Sequence, residues 1–161
     1  MNMPDMLVKL YTLPDKQPLI ERLAQQGIVI KRGMSGDMHR AVSFAEEHFN
    51  ASWRNSCQNA FARLPSGIFL AVQNKQIIGF ACYDVVVRNF FGPTGVTDAC
   101  RGLGVGKALL LECLHAMRAD GYAYAIIGWA EDAQAFYEHA VGATVIPDSF
   151  PGAYQGMIDI D

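Results

Sequence analysis

The sequence lacks most of the features that would take it out of the ordinary globular class. No run approaches the about 18 uninterrupted apolar residues that a spanning helix needs, so no membrane segment is expected. It has no repeat and no low-complexity segment. Charge of one sign is scarce, with 18 % charged residues and a net charge of −3. That gives no general attraction to nucleic acid. A hydrophobic share of 51 % excludes a disordered chain. The first residues carry Asp5 among prolines and no basic stretch before an apolar core, so no secretory leader is expected. The cysteines, Cys57, Cys82, Cys100 and Cys113, show no C-x-x-C spacing. The histidines at 39, 48, 115 and 139 show no ligand pairing, so no metal site is expected. Cys82, Cys100 and Cys113 sit in apolar runs, where a buried free thiol is the default. This usage suits a reducing, cytoplasmic setting.

A chain of 161 residues is one domain by size. Pattern and punctuation predict a short strand over 6–13, then a helix from Pro18 to Gln26 that stops at Gly27. A strand over 28–31 and a helix over about 38–49 follow, the helix capped by Ser35-Gly36-Asp37. A second helix is expected over about 53–63. A hairpin over 67–73 and 76–87 turns at Asn74-Lys75. Later come a helix to Asp120, an apolar strand near 123–128 and a helix starting at Glu131 or Asp132. Closing strands are expected at 144–146 and 154–160. Mixed strands and helices with an antiparallel hairpin give an α+β sheet flanked by helices.

The most informative stretch is Arg101-Gly102-Leu103-Gly104-Val105-Gly106-Lys107. It follows an apolar strand-like run and opens into the helical Ala108-Leu109-Leu110-Leu111. The first N–H groups of a helix have no internal partner, and the helix dipole is positive there. Alternating glycines let a phosphate approach that backbone, so a phosphorylated cofactor is expected. The spacing fits neither nucleotide loop. A dinucleotide fold wants G-x-G-x-x-G with an acidic residue about 20 positions on, whereas Glu131 and Asp132 lie too far along. An ATP-type loop needs a glycine where Arg101 stands and a hydroxyl where Ala108 stands.

Arg101 to Gly106 resembles the acyl-CoA loop of the GNAT superfamily of N-acetyltransferases: Gln or Arg, two free positions, Gly, one free position, then Gly or Ala. The resemblance extends from about residue 67 to 147. Phe91–Val96 resembles the family's fourth strand, Gly104–Asp120 the helix behind it, and Tyr122–Trp129 the fifth strand. Ala135-Phe136-Tyr137-Glu138 with Gly142 resembles its Phe-Tyr helix and exit. Residues 1–66 match in layout alone, with 1–27 an N-terminal strand-helix extension of one acetyltransferase domain spanning 1–161.

The resemblance implies a central, mostly antiparallel sheet splayed between the family's fourth and fifth strands, with a pantetheine arm entering the gap. Main-chain groups of Thr94, Gly95 and Val96 would hold that arm, and the backbone of Arg101, Gly102, Leu103, Gly104, Val105, Gly106 and Lys107 the pyrophosphate. It also implies acetyl-CoA as co-substrate with no metal, an amine acceptor and direct transfer. Tyr137 would act as general acid to the leaving thiolate. The base is open: Glu46 and Glu47 on an early helix and Asp84 in a strand are candidates, Glu46 being preferred because it lies near Trp53. Where many relatives carry an asparagine, this chain has Ala130, and Trp129 is a candidate to fill that space. The acceptor is a primary amine of a small molecule or peptide. The alternatives are a longer acyl group or a non-catalytic acyl-CoA-binding sensor. A homodimer is an arrangement common in the family.

Overall fold

The computed structural model describes residues 2–158. Seven strands form one sheet in the order β2-β3-β4-β5-β6-β1-β7. They are β1 (Met6–Lys9), β2 (Ile28–Arg32), β3 (Ile68–Gln73), β4 (Gln76–Tyr83), β5 (Phe90–Val96), β6 (Tyr124–Ile127) and β7 (Thr144–Val145). The helices are α1 (Gln17–Gln25), α2 (Met38–His48), α3 (Ala51–Ala60), α4 (Val105–Ala119) and α5 (Gln134–Val141). Every pairing is antiparallel except β5 with β6. This is the mixed α/β arrangement expected from the sequence.

Two cores cover the two faces. On one face α4, the longest helix, buries Val105, Ala108, Leu109, Leu110 and Leu111 against Ala81, Tyr83, Phe91 and Ile127. On the other, α2 and α3 bury Ala41, Phe44, Ala45, Cys57 and Ala60 against Leu70, Phe80 and Cys82. Alternation along the strands assigns the faces: Ala81 and Tyr83 turn to α4, Phe80 and Cys82 to α2 and α3. The β3–β4 hairpin turns at Asn74 and Lys75, both at positive φ, as a two-residue primed turn requires.

Local patterns place most elements within a few residues, and the departures have physical causes. The strand expected over 6–13 ends at Lys9, and Leu10–Thr12 is a 3₁₀ turn. The helix expected from Trp53 begins at Ala51, because the Asn50 side chain accepts the Trp53 N–H at 2.8 Å and caps it there. β4 stops at Tyr83 instead of Val87. Asp84 has a φ of 56°, which breaks the pleat, and its carboxylate accepts the Asn89 N–H at 2.6 Å. The closing strand expected over 154–160 is not formed in its described part: Gly152–Tyr154 is a 3₁₀ turn, and 159–160 lie outside the described residues. β1 lies between β6 and β7, and Met6, Val8 and Leu10 are fully buried.

Strands β5 and β6 pair only at Phe90–Ile126 and Phe91–Ile127. Beyond Phe91, β5 continues beside β4 to Val96, while β6 ends at Ile127 and stays with β1. The sheet is therefore open between them. Residues Gly92 to Val96 are half-buried along that opening. Among the described residues no helix is long and apolar enough to cross a membrane.

Candidate active site

The opening in the sheet leads into a cavity of about 440 Å³, within the usual range for a small-molecule site. Its walls come from β5 (Phe91, Thr94, Gly95, Val96), the glycine loop and α4 (Cys100, Arg101, Gly102, Gly104, Val105, Gly106, Leu110), and α5 with the turn before it (Ala133, Phe136, Tyr137). Nearly all the cofactor-binding residues expected from the sequence line this one space. Leu103 and Lys107 do not. Leu103 is exposed, and Lys107 faces a neighbouring hollow of about 250 Å³ with Asp15, Leu19 and Arg22.

The loop presents backbone donors to the cavity. The first intrahelical bond of α4 runs from the Ala108 N–H to the Gly104 carbonyl, 3.0 Å. The amides of Val105, Gly106 and Lys107 are thus left without a partner inside the helix. Gly104 sets the geometry with a φ of +93°, where an L side chain is strained. A Cβ there would also meet Arg22 Nη2 at 2.9 Å and Leu19 Cδ1 at 3.0 Å. Arg22 on α1 is a cation at the loop that sequence reasoning missed, since nothing local links residue 22 to residue 104. Arg101 pairs with Asp98 at 3.3 Å, both well exposed.

Tyr137 lines the cavity from α5. It is 7 % exposed, with its ring edge-on to Phe91 (centroids 6.3 Å apart) and to Phe136 (5.2 Å). Desolvation pushes its phenol up to about 12, so it stays protonated through the neutral range. Ala133, Phe136 and Tyr137 share one helical face through their i, i+3 and i+4 spacing. Phe136 and Ala133 are therefore wall residues that this period could have revealed.

The other face of the opening is lined by aromatic rings. The Phe49 ring lies against Gly95, so that a Cβ there would collide with it, and Trp53 packs on Phe49 at 4.9 Å. Across the gap the Tyr154 hydroxyl lies over Gly128, and the Tyr154 ring meets Phe90 at 6.1 Å and Trp129 at 4.4 Å. Trp129 donates its indole N–H to the Pro151 carbonyl at 3.3 Å and so packs on the C-terminal segment. Of the base candidates, Glu46 is outside the cavity, on the exposed side of α2, with Arg54 at 3.4 Å. Glu47 is exposed beside it. Asp84 is occupied by the Asn89 N–H and by the Tyr122 hydroxyl at 2.9 Å.

The arrangement is an open sheet with a glycine loop at a helix start beside the gap. The acetyltransferase (GNAT) family model matches residues 37–143, more than half of the chain. The chain belongs to that family, whose members are acyltransferases with acetyl-CoA as co-substrate. Solved structures share the fold. The GCN5-related glucosamine N-acetyltransferase region of a fungal multi-domain GH3 β-N-acetylglucosaminidase superposes with a TM-score of 0.71 at 15 % identity, over 89 % of this chain and 19 % of that one. A GCN5-related N-acetyltransferase from Sphaerobacter thermophilus gives 0.69 at 22 % identity, over 89 % and 48 %. One from Kribbella flavida gives 0.62 at 14 % identity, over 90 % and 55 %. The chain thus spans little more than half of these relatives' length, or less. No curated protein matches it in sequence.

Proposed function

We propose that the protein transfers an acetyl group from acetyl-CoA directly to a primary amine of a small molecule or peptide. The observation that carries this reading is the parting of β5 and β6 beside the glycine loop, with Tyr137 lining the same cavity. The free edge of β5 along Thr94, Gly95 and Val96 offers strand-type hydrogen bonds to a pantetheine arm. The uncommitted amides of residues 105–107 and the positive end of α4 suit the pyrophosphate. Arg101 adds charge from the cavity wall, and Arg22 and Lys107 add it from the adjoining hollow.

Transfer requires a neutral amine nitrogen to attack the thioester carbonyl carbon. A proton leaves the nitrogen, the carbon–sulfur bond breaks, and the sulfur takes a proton. Tyr137 is the donor to sulfur: its phenol is held protonated and it lines the cavity. Main-chain N–H groups along the opening serve the developing oxyanion. The buried free thiols of Cys57, Cys82 and Cys113 support a reducing compartment such as the cytoplasm.

The test is thiol release from acetyl-CoA against a panel of amines. Glucosamine belongs in that panel because the similar fungal region is a glucosamine N-acetyltransferase. Polyamines, arylalkylamines and a peptide with a free N-terminus complete it. Thiol release that depends on one amine, with an N-acetyl product of matching mass, supports the reading. Acetyl-CoA binding without turnover on any member refutes it in favour of a sensor.

A further inference from the structure

We propose that Asp5 and Tyr154 form the acceptor half of the site, with the Asp5 carboxylate binding a cationic primary amine and taking its proton, and Tyr154 positioning it. The proposal rests on the acetyltransferase reading above and names its base and the charge class of its acceptor. Asp5 immediately precedes β1. Met6 pairs with Ile127, so Asp5 stands opposite Gly128, the residue that follows β6 and its last pair with β5. That is where the sheet parts. Met6 and Ile127 turn to the core shared with Tyr137, so Asp5 and Gly128 turn to the other face. The thioester enters between the strands, with its sulfur served from the face of Tyr137. Its carbonyl is then open to attack from the face of Asp5.

Asp5 is a buried carboxylate with no ion-pair partner among the described residues. It is 5 % exposed. Oδ1 accepts the Trp129 N–H at 3.1 Å, while the Ser149 hydroxyl takes the Asp5 amide at 2.8 Å. Among the described residues no ion pair includes it. Oδ2 is turned toward Gly152 and the Tyr154 side, 3.2 Å from where a Cβ on Gly152 would stand. A buried carboxylate without a cation is costly, and an ammonium group supplies that cation. From the C-terminal segment the titratable group facing it is Tyr154; the turn after β6 offers the Trp129 N–H, and the loop after β7 the Ser149 hydroxyl. Burial holds Asp5 above the ordinary carboxylate value. Burial and the Asp5 charge push Tyr154 up to about 12, so it remains a donor.

The step balances as follows. The ammonium sheds one proton to solvent by way of Asp5. The freed lone pair forms the carbon–nitrogen bond, and the surplus proton on nitrogen passes to the Asp5 carboxylate. The carbon–sulfur pair goes to sulfur, which takes the Tyr137 proton. Tyr137 regains a proton and Asp5 releases its own, so each turnover yields amide, thiol and one net proton.

The experiment uses the whole chain with acetyl-CoA and three probes: glucosamine, tyramine and the dipeptide Gly-Gly. Asp5→Asn keeps the acceptor for the Trp129 N–H but removes the charge. It is expected to lower kcat/KM for the amine by about 10²–10⁴-fold while acetyl-CoA affinity by calorimetry is unchanged. Its residual rate should climb with pH in proportion to free amine, whereas the wild type levels off. Tyr154→Phe keeps the ring and should lower kcat/KM less, by raising KM for the amine. A wild-type rate and pH profile in Asp5→Asn overturns the proposal, as does a loss of acetyl-CoA affinity in step with the rate. If Asp5→Asn fails to fold, a wild-type KM and pH profile in Tyr154→Phe overturns it instead. Acetyl-CoA bound by the wild type but transferred to none of the probes at pH 9 refutes the amine class and leaves the cofactor site standing. Failure to bind acetyl-CoA refutes the functional reading and this proposal together.

Discussion

Replacing Gly104 with alanine, and Gly106 with alanine and with glutamate, divides the glycine loop into a folding part and a binding part. Gly104 has a φ of +93°, and an added Cβ would press on Arg22 Nη2 and Leu19 Cδ1 at about the limit of contact. Holding an L residue in left-handed backbone costs about 1–2 kcal/mol. In a domain of this size each kcal/mol is worth about 2–4 °C. Gly104→Ala should therefore lower Tm by about 2–8 °C, the pressure on Leu19 pushing it toward the upper end. Gly106 is helical, and an added Cβ would meet only Val96 Cγ2 at 3.8 Å, an ordinary contact. Removing a helical glycine gains up to about 1 kcal/mol, so Gly106→Ala should melt at or slightly above the wild type. Gly106 nonetheless lines the cavity, and alanine is one of the two residues the family pattern accepts there, so Gly106→Ala should keep acetyl-CoA affinity close to the wild type. Gly106→Glu instead sets a bulky carboxylate where the ligand's phosphates approach the backbone, and acetyl-CoA affinity should fall by about 10–100-fold or more, about 1.4–2.8 kcal/mol. Calorimetric titration beside thermal denaturation reads both quantities. Gly106→Glu that folds and binds acetyl-CoA like the wild type would refute the assignment of the loop. Gly104→Ala of unchanged Tm would refute the backbone argument.

Tyr137→Phe keeps the packing on Phe91 and removes the proton. Its rate under chemistry-limited conditions should fall by about 10²–10⁴-fold with acetyl-CoA affinity unchanged, and a wild-type rate would make Tyr137 a packing residue. The raised phenols also affect stability: a tyrosine held up to about 12 in the fold but at 10.0 when unfolded stabilises below pH 10 and loses that contribution as pH rises toward 12. Tm should thus drop above pH 10, by less in Tyr137→Phe, and equal alkaline drops in both proteins would contradict the burial of that hydroxyl. Cys100 is the partly exposed thiol and lines the cavity, whereas Cys57, Cys82 and Cys113 are fully buried. A maleimide should label Cys100 first, acetyl-CoA should protect it, and Cys100→Ala should keep turnover; unprotected labelling would place the cofactor elsewhere. Glu46→Gln removes an exposed pair worth about 0–1 kcal/mol and should leave kcat/KM unchanged, which a loss of more than about tenfold would contradict.

What the sequence made legible was local. The glycine loop, the α4 stripe and the Phe136-Tyr137 helix each carry their signal within a few residues. The structure gathers Thr94 to Val96, most of the loop and Tyr137 around one cavity. What it did not disclose was non-local. A four-residue strand at Met6–Lys9 carries no mark of its partners, so its insertion between β6 and β7 was invisible. Asp5 reads as a solvated acid near a terminus, and only the register against Gly128 buries it. Arg22 reads as a surface residue of an amphipathic helix until α1 is laid against Gly104. Glu46 looked near Trp53 in sequence, but the burial of Ala41, Phe44 and Ala45 turns it outward. In its described part the strand expected from Tyr154 does not form: the tyrosine ring packs on Trp129 and Phe90, and the chain turns at Gly152–Tyr154 instead of extending.

The most direct test of the central claim is a single-turnover measurement with the wild-type chain and acetyl-CoA, following thiol release and N-acetyl product together across the amine panel. The account predicts amine-dependent thiol release with one N-acetyl product per CoA, and no acetyl group on the protein at any time. Tight acetyl-CoA binding with no amine-dependent release, or an acetylated cysteine that forms and decays with the product, would contradict it.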